Sequence, residues 1–268
     1  MDVVVTATKL LLMLSLMVAF AYMSLVGLTY VSQRTILYPG ASRSPAQASW
    51  GESVSIRTPD GERLHGSYSQ GKPGKASMLF FLGNADRIGN YDFLAQALAS
   101  RGIGLLAISY RGYPGSTGTP SEVGLLTDGL AAFDWLSERT ESKIVVLGQS
   151  LGSGVAVNTA RQRPASAAVL VSAYLSLLSL AQAHYPFFPV SLLFKDPFRS
   201  DLRMQEVRQP KLFIHGRRDA IIPLSSGEAL FDIASEPKQM LIYDGSGHND
   251  LWDARMVGDI IRFVEALE

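Results

Sequence analysis

From about residue 53 onward, short apolar runs alternate with stretches whose apolar positions recur at helical spacing. "SVSIRT" and "LHGSY" flank Pro59-Asp60-Gly61, a turn sequence, and predict a hairpin. "SMLFFL" is continuously apolar, as expected of a strand buried on both faces. "IGLLAISY", "KIVVLG", "AAVLVS", "PKLFIHG" and "KQMLIYD" also read as strands. Between and after them lie five helical patterns. "YDFLAQALASRG" ends at Gly102, and "SEVGLLTDGLAAFDWLSER" has Ser121 placed to cap it. "LGSGVAVNTARQR", "LSSGEALFDIA" and "LWDARMVGDIIRFVEAL" complete the set. Strands alternating with helices predict an α/β fold, a mostly parallel eight-stranded sheet with helices on both faces.

Two stretches break the rhythm. Leu10 to Tyr30 carries no charge at all. As a helix it is roughly 31 Å long, about the thickness of a bilayer core. Lys9 sits at one edge, Tyr30 and Arg34 at the other, as interfacial anchors do. A cleaved signal peptide is the rival reading, but its apolar core is shorter than this one. Residues 1–30 are therefore read as one N-terminal transmembrane helix, with charges too balanced to orient it. Residues 31–52 read as a connector, and 53–268 as the soluble domain. The second break is 173–206, too long for a simple crossover and dense in aromatics and prolines around "HYPFFPVSLLFKDPF". It is either a packed crossover or a cap over a pocket.

Composition narrows the function. The 268 residues suit one α/β domain, and 24 basic residues balance 24 acidic ones. No basic stripe stands out, so nucleic acid is not an expected partner. The chain has no cysteine, which excludes disulfides, thiolate metal sites and thiol nucleophiles. Nothing in it indicates an oligomeric state.

Candidate chemistry centres on "IVVLGQSLGSGVAV", residues 144–157. A phosphate loop would need Lys after the last glycine, and a dinucleotide fingerprint needs G-x-G-x-x-G; neither is present. Gly148-Gln149-Ser150-Leu151-Gly152 is G-x-S-x-G between a strand and a helix, which presents a serine on a sharp turn. The Leu151 N–H then points into the site from a helix N-terminus. A serine needs a base. His248, in the loop "YDGSGHND" before the last helix, is the best placed of four histidines. His215 ends a strand and reads as core packing, His65 as an ordinary strand residue, and His184 as a possible pocket lining. Asp219, in "HGRRDAIIP", supplies the carboxylate, in the order Ser–Asp–His. Asp244 and Asp250 read as caps of the local turn or final helix, Asp128 and Asp134 as solvated helix positions. The second oxyanion N–H is assigned to Asn84, with Ala85 as the alternative, on the loop after "SMLFFL".

Several motifs together resemble one branch of the α/β-hydrolase superfamily. They are "LGNA" at 82–85, "SYRGYPGSTGTPSEVGLLTD" at 109–128, "GQSLGSGVAV" at 148–157, the aromatic stretch at 184–198, "HGRRDAIIP" at 215–223 and "GSGHNDLW" at 246–252. The branch holds membrane-anchored α/β-hydrolase-domain proteins, among them depalmitoylases and lysophospholipid lipases, and the serine aminopeptidase-like hydrolases. The resemblance implies an α/β-hydrolase fold, with Ser150 as nucleophile, Asp219 as acid and His248 as base. The family usually has His-Gly-Asn-Ala at the oxyanion loop. Leu82 replaces that histidine here, which implies a loop held by packing. The expected reaction is cleavage of an acyl ester or thioester, with no metal or organic cofactor and with the membrane as a partner. A peptidase or amidase with the same triad, or a silent membrane-tethered binding protein, are the alternatives.

Overall fold

A computed structural model describes residues 2–44 and 48–267. The apolar runs become eight strands: β1 (Glu52–Arg57), β2 (Arg63–Ser69), β3 (Ser77–Phe81), β4 (Gly104–Ile108), β5 (Ile144–Gln149), β6 (Ala167–Val171), β7 (Lys211–Gly216) and β8 (Lys238–Tyr243). They form one sheet in the order β1-β2-β4-β3-β5-β6-β7-β8. β1 and β2 make the predicted hairpin, and β2 is also antiparallel to β4. Every later pairing is parallel. β3 through β7 are buried along their whole length, which is why their sequences show no alternation.

The helices are α1 (Asp2–Leu37), α2 (Asp92–Ser100), α3 (Glu122–Ser137), α4 (Leu151–Gln162), α5 (Leu177–His184), α6 (Val190–Leu193), α7 (Leu224–Ile233) and α8 (Ala254–Glu265). Ser121 caps α3 as expected, its hydroxyl accepting from the Gly124 N–H at 3.1 Å. Met256, Val257, Ile260, Ile261 and Val264 form the buried face of α8. α4 is buried from Leu151 to Ala160 and lies at the centre of the molecule.

The order of the strands places a crevice. The chain leaves β3 toward β4 on one side and leaves β5 toward β6 on the other. The loops after β3 and β5 therefore diverge from adjacent strands, in register with Phe81 beside Gly148. A ligand site in an open α/β sheet forms at such a switch point, outside the carboxyl ends of the strands.

α1 runs seven residues past Tyr30, through the start of the expected connector. Nothing there breaks a helix until Pro39, and the residue before a proline avoids helical geometry. Its apolar side chains stand exposed, Phe20 at 75%. It meets the body along one side from Tyr22 to its end, where Arg34 grips Asp196 with two bonds of 2.8 and 3.1 Å. Segment 173–206 carries α5 and α6 and lies over the carboxyl end of the sheet, facing α1 across a cavity.

One expectation is corrected. Asp128 was expected on the solvated face of α3, and Asp134 does lie there, paired with Arg163. Asp128 instead is fully buried. It accepts from the Arg111 guanidinium and from the Arg111 backbone N–H, at 2.8 to 2.9 Å. The loop after β4 folds under α3 and delivers that arginine, which no helical periodicity reveals. Burial pushes the Asp128 carboxyl up to about 6, against the pull of Arg111. Asp60, half-exposed in the β1–β2 turn, completes the cluster at 2.6 Å from Arg111.

Asp128→Ala leaves the Arg111 guanidinium buried with only one partner, and is expected to cost about 3–5 kcal/mol. Asp60→Ala is expected to cost about 1 kcal/mol or less, because that carboxylate is solvated. Thermal unfolding of the two variants measures the difference; equal losses contradict this account.

Candidate active site

β5 ends at Gln149, and Ser150 takes φ 51° and ψ −120° before α4 begins. That left-handed geometry is strained for a residue with a side chain. It is held by the Ser150 N–H donating to Val171 carbonyl at 2.9 Å. The glycines on either side are steric requirements. A Cβ on Gly152 would strike the Phe81 carbonyl oxygen, and one on Gly148 would strike Gly152. Gly154 lets α4 approach the Tyr174 hydroxyl and the Phe198 ring.

His248 follows β8 and Asp219 follows β7, so both lie at the same end of the sheet as Ser150. His248 Nε2 is 3.1 Å from Ser150 Oγ, and its Nδ1 is 2.7 Å from Asp219 Oδ2. The other oxygen, Oδ1, accepts the backbone N–H groups of Ile221 at 2.9 Å and Ile222 at 2.7 Å. Those two bonds orient the carboxylate toward the imidazole. Burial works against the Asp219 charge, but His248 and the Ile222 N–H outweigh it and hold the carboxyl below its ordinary range. Asp219 thus keeps its charge through the neutral range.

The other histidines divide as read. His215 is buried and its Nε2 bonds the Ile222 carbonyl at 2.9 Å; burial keeps its pKa low. His65 sits on β2 opposite Ser55. His184 lines the cavity, its Nδ1 2.8 Å from the Leu180 carbonyl. Asp250 accepts from the Gly247 N–H at 2.6 Å and so caps the turn, while Asp244 pairs with Arg217. Asp253, not either of them, caps α8.

The loop after β3 departs from expectation. Leu82 is buried, but packing is not its only support. Tyr110 Oη donates to the Leu82 carbonyl at 2.9 Å, and Tyr113 Oη to the Asn84 carbonyl at 2.8 Å. The Asn84 carbonyl also accepts from Gly40 N–H at 3.0 Å. The Asn84 side chain donates to the Leu37 carbonyl at the end of α1, at 3.0 Å. A Cβ on Gly83 would strike the Asp86 carboxylate and come within 3.8 Å of the Ser150 Cβ. Leu151 opens α4, so its N–H is one of the helix's unpaired donors. Ala85, the alternative donor, lines the same cavity.

Sequence reading missed two parts of the site. Gln149 is held from behind by Tyr91 and by Trp252 Nε1 at 2.9 Å. A cavity of about 830 Å³ runs from Ser150 and His248 to a wall made by α1, through Val26, Thr29, Tyr30, Gln33 and Ile36. The signal was present: Thr29 and Gln33 are polar positions one helical turn apart in an apolar helix. Among the described residues, no cluster of three or more His, Cys, Asp or Glu side chains could hold a metal ion.

Known proteins agree with this architecture. The family described as serine aminopeptidase, S33, matches residues 72–192. An uncharacterised protein of Mycobacterium tuberculosis is 40% identical over 86% of this chain and 85% of its own length. Mouse lysophosphatidylserine lipase ABHD12 is 33% identical over 60% of this chain, which spans only 46% of that protein. An esterase from Pyrococcus furiosus superposes with a TM-score of 0.69 at 18% identity, covering 83% of this chain and 96% of the esterase. The chain belongs to the α/β-hydrolase superfamily, in the branch that holds these serine aminopeptidase-like and lipase relatives.

Tyr110→Phe strips a buried carbonyl of its donor and is expected to cost about 1–3 kcal/mol. Tyr113→Phe is expected to cost less, since Gly40 still serves the Asn84 carbonyl. Unfolding midpoints of both variants test the ranking.

Proposed function

We propose that this chain is a membrane-anchored serine hydrolase that cleaves acyl esters or thioesters. The observation that carries the reading is the unbroken Ser150–His248–Asp219 relay, at 3.1 and 2.7 Å. His248 Nε2 takes the Ser150 hydroxyl proton as Oγ attacks the acyl carbonyl carbon. The N–H groups of Leu151 and Asn84 stabilise the oxyanion. The carbon–oxygen or carbon–sulfur bond then breaks, and His248 returns the proton to the departing alcohol or thiol. Water, deprotonated by His248, attacks the acyl-enzyme and releases the carboxylic acid. Asp219 fixes the imidazole tautomer throughout.

The apolar cavity beside Ser150 favours an acyl chain over a polar substrate. Amide or peptide cleavage by the same groups is the second reading, favoured by the serine aminopeptidase match. A silent binding protein would have no need of the intact relay. Membrane anchoring rests on the apolar helix of Val5–Leu37, whose most apolar 18 residues have a mean hydropathy of 2.2 and find little cover in the protein. A cleaved leader fits less well, because Gln33, Arg34 and Leu37 are all bonded into the domain. After a carbonate wash the full-length protein should stay with membranes.

A fluorophosphonate probe is expected to label the wild type and not Ser150→Ala; equal labelling of the two would sink the enzyme reading. Asp219→Asn is expected to lower kcat by about 10⁴-fold, because the amide favours the wrong imidazole tautomer. Hydrolysis of p-nitrophenyl esters should rise with chain length, and should exceed that of aminoacyl amides. Preference for acetyl esters with refusal of long chains would contradict the acyl-chain reading.

A further inference from the structure

We infer that α1 and the segment 184–194 together form a portal within the bilayer, through which a lipid acyl chain reaches Ser150 without entering water. The inference rests on the membrane-anchored reading of α1.

The placement comes from one hydrogen bond. Tyr22 Oη donates to the Phe187 carbonyl at 2.8 Å, and the Tyr22 and Phe188 rings lie 6.4 Å apart. Tyr22 is fifteen residues from Leu37, so the segment climbs about 22 Å along α1. It passes Tyr30 by eight residues, or about 12 Å, into the stretch that carries no charge. A segment at that depth meets acyl chains.

Its chemistry suits that solvent. No Asp, Glu, Lys or Arg occurs from Tyr185 to Phe194. Phe187 is 86% exposed and Leu192 83%, an unusual cost for side chains facing water. Backbone polar groups must find partners inside lipid. Pro186 and Pro189 have no N–H to satisfy. The N–H groups of Tyr185, Phe188, Val190, Leu192 and Phe194 donate within the segment or to α5. The carbonyls of Phe187 and Leu193 accept from Tyr22 and Gln33 of α1.

The interface is marked about two turns lower, at Tyr30. Lys195 donates to the Tyr30 carbonyl and lies 3.9 Å over the Tyr30 ring. The Arg34–Asp196 pair sits beside it. A cation, an aromatic ring and an ion pair at one level are what a headgroup region holds. The cavity spans both zones, from Val26 down to Ser150. An acyl chain lying between α1 and α6 would bring its carbonyl to the serine at the headgroup level.

The absence of cysteine makes the test clean. Single-cysteine variants of the full chain, Leu16→Cys, Phe187→Cys, Leu192→Cys and Val123→Cys, carry an environment-sensitive dye in phosphatidylcholine vesicles. Dyes at 16, 187 and 192 are expected to be quenched by nitroxide-labelled phosphatidylcholine and shielded from iodide. The dye at Val123, exposed on α3, is expected to behave oppositely. Lipid quenching at 16 with iodide quenching at 187 and 192 overturns the portal and leaves the anchor standing. Iodide quenching at all four positions overturns the anchor itself. A kinetic arm addresses passage. Thr29→Trp fills the cavity wall and is expected to lower the ratio of long-chain to acetyl ester hydrolysis about tenfold. Val31→Trp, on the far face of α1, is expected to leave that ratio unchanged. Equal effects of the two would overturn the portal.

Discussion

The first turn of α4 is pressed against the carbonyl end of β3, and the site depends on that contact. Gly152 has no side chain because the Phe81 carbonyl occupies the space. The closeness brings the loop of Gly83 and Asn84 beside the Ser150 turn. A helix N-terminus carries partial positive charge, and here it faces the crevice where the strand order reverses. Any side chain at position 152 would push α4 away and separate the two N–H groups proposed to hold an oxyanion. The strained backbone of Ser150 follows from the same closeness: the chain has no longer route from β5 into α4.

The rest of the molecule braces this arrangement from several sides. Tyr110 and Tyr113 hold the carbonyls of the loop after β3. Gln149 is clamped by Tyr91 and Trp252, whose rings stack edge to face. The Ile221 and Ile222 amides fix Asp219, and Asp219 fixes His248. Each brace reaches a different strand end. Their combined effect is to hold three side chains from the ends of β5, β7 and β8 in one chain of hydrogen bonds.

α1 is tied into the same system. Asp196 accepts from Arg34 of α1 and from the Glu122 N–H at the start of α3. Glu122 in turn accepts from the Phe198 N–H and from Arg203. Leu37 accepts from Asn84, so the end of the apolar helix reaches the loop after β3 through one side chain. A helix that only tethered the domain would need none of these bonds. Here it is a wall of the cavity and a support of the loop.

Much of this was legible in order of residues. Strands buried on both faces show as unbroken apolar runs, and a serine turn shows as glycines two positions either side. The meeting of Ser150, Asp219 and His248, the triad proposed here, follows from chain order, because loops after successive parallel strands emerge at one end of the sheet. The sequence determined these by itself, since each depends on local spacing and sterics. Other features depend on partners distant in the chain, and only the tertiary structure decided them. Asp128 looked solvated until the loop after β4 delivered Arg111 to it. Leu82 looked like a lost support until two tyrosines from residues 110 and 113 replaced it. Most of all, the segment 184–194 became part of a cavity wall only when Tyr22 and Gln33 met it more than 150 residues away. Periodicity reports which face of an element is apolar; it does not report what that face will touch.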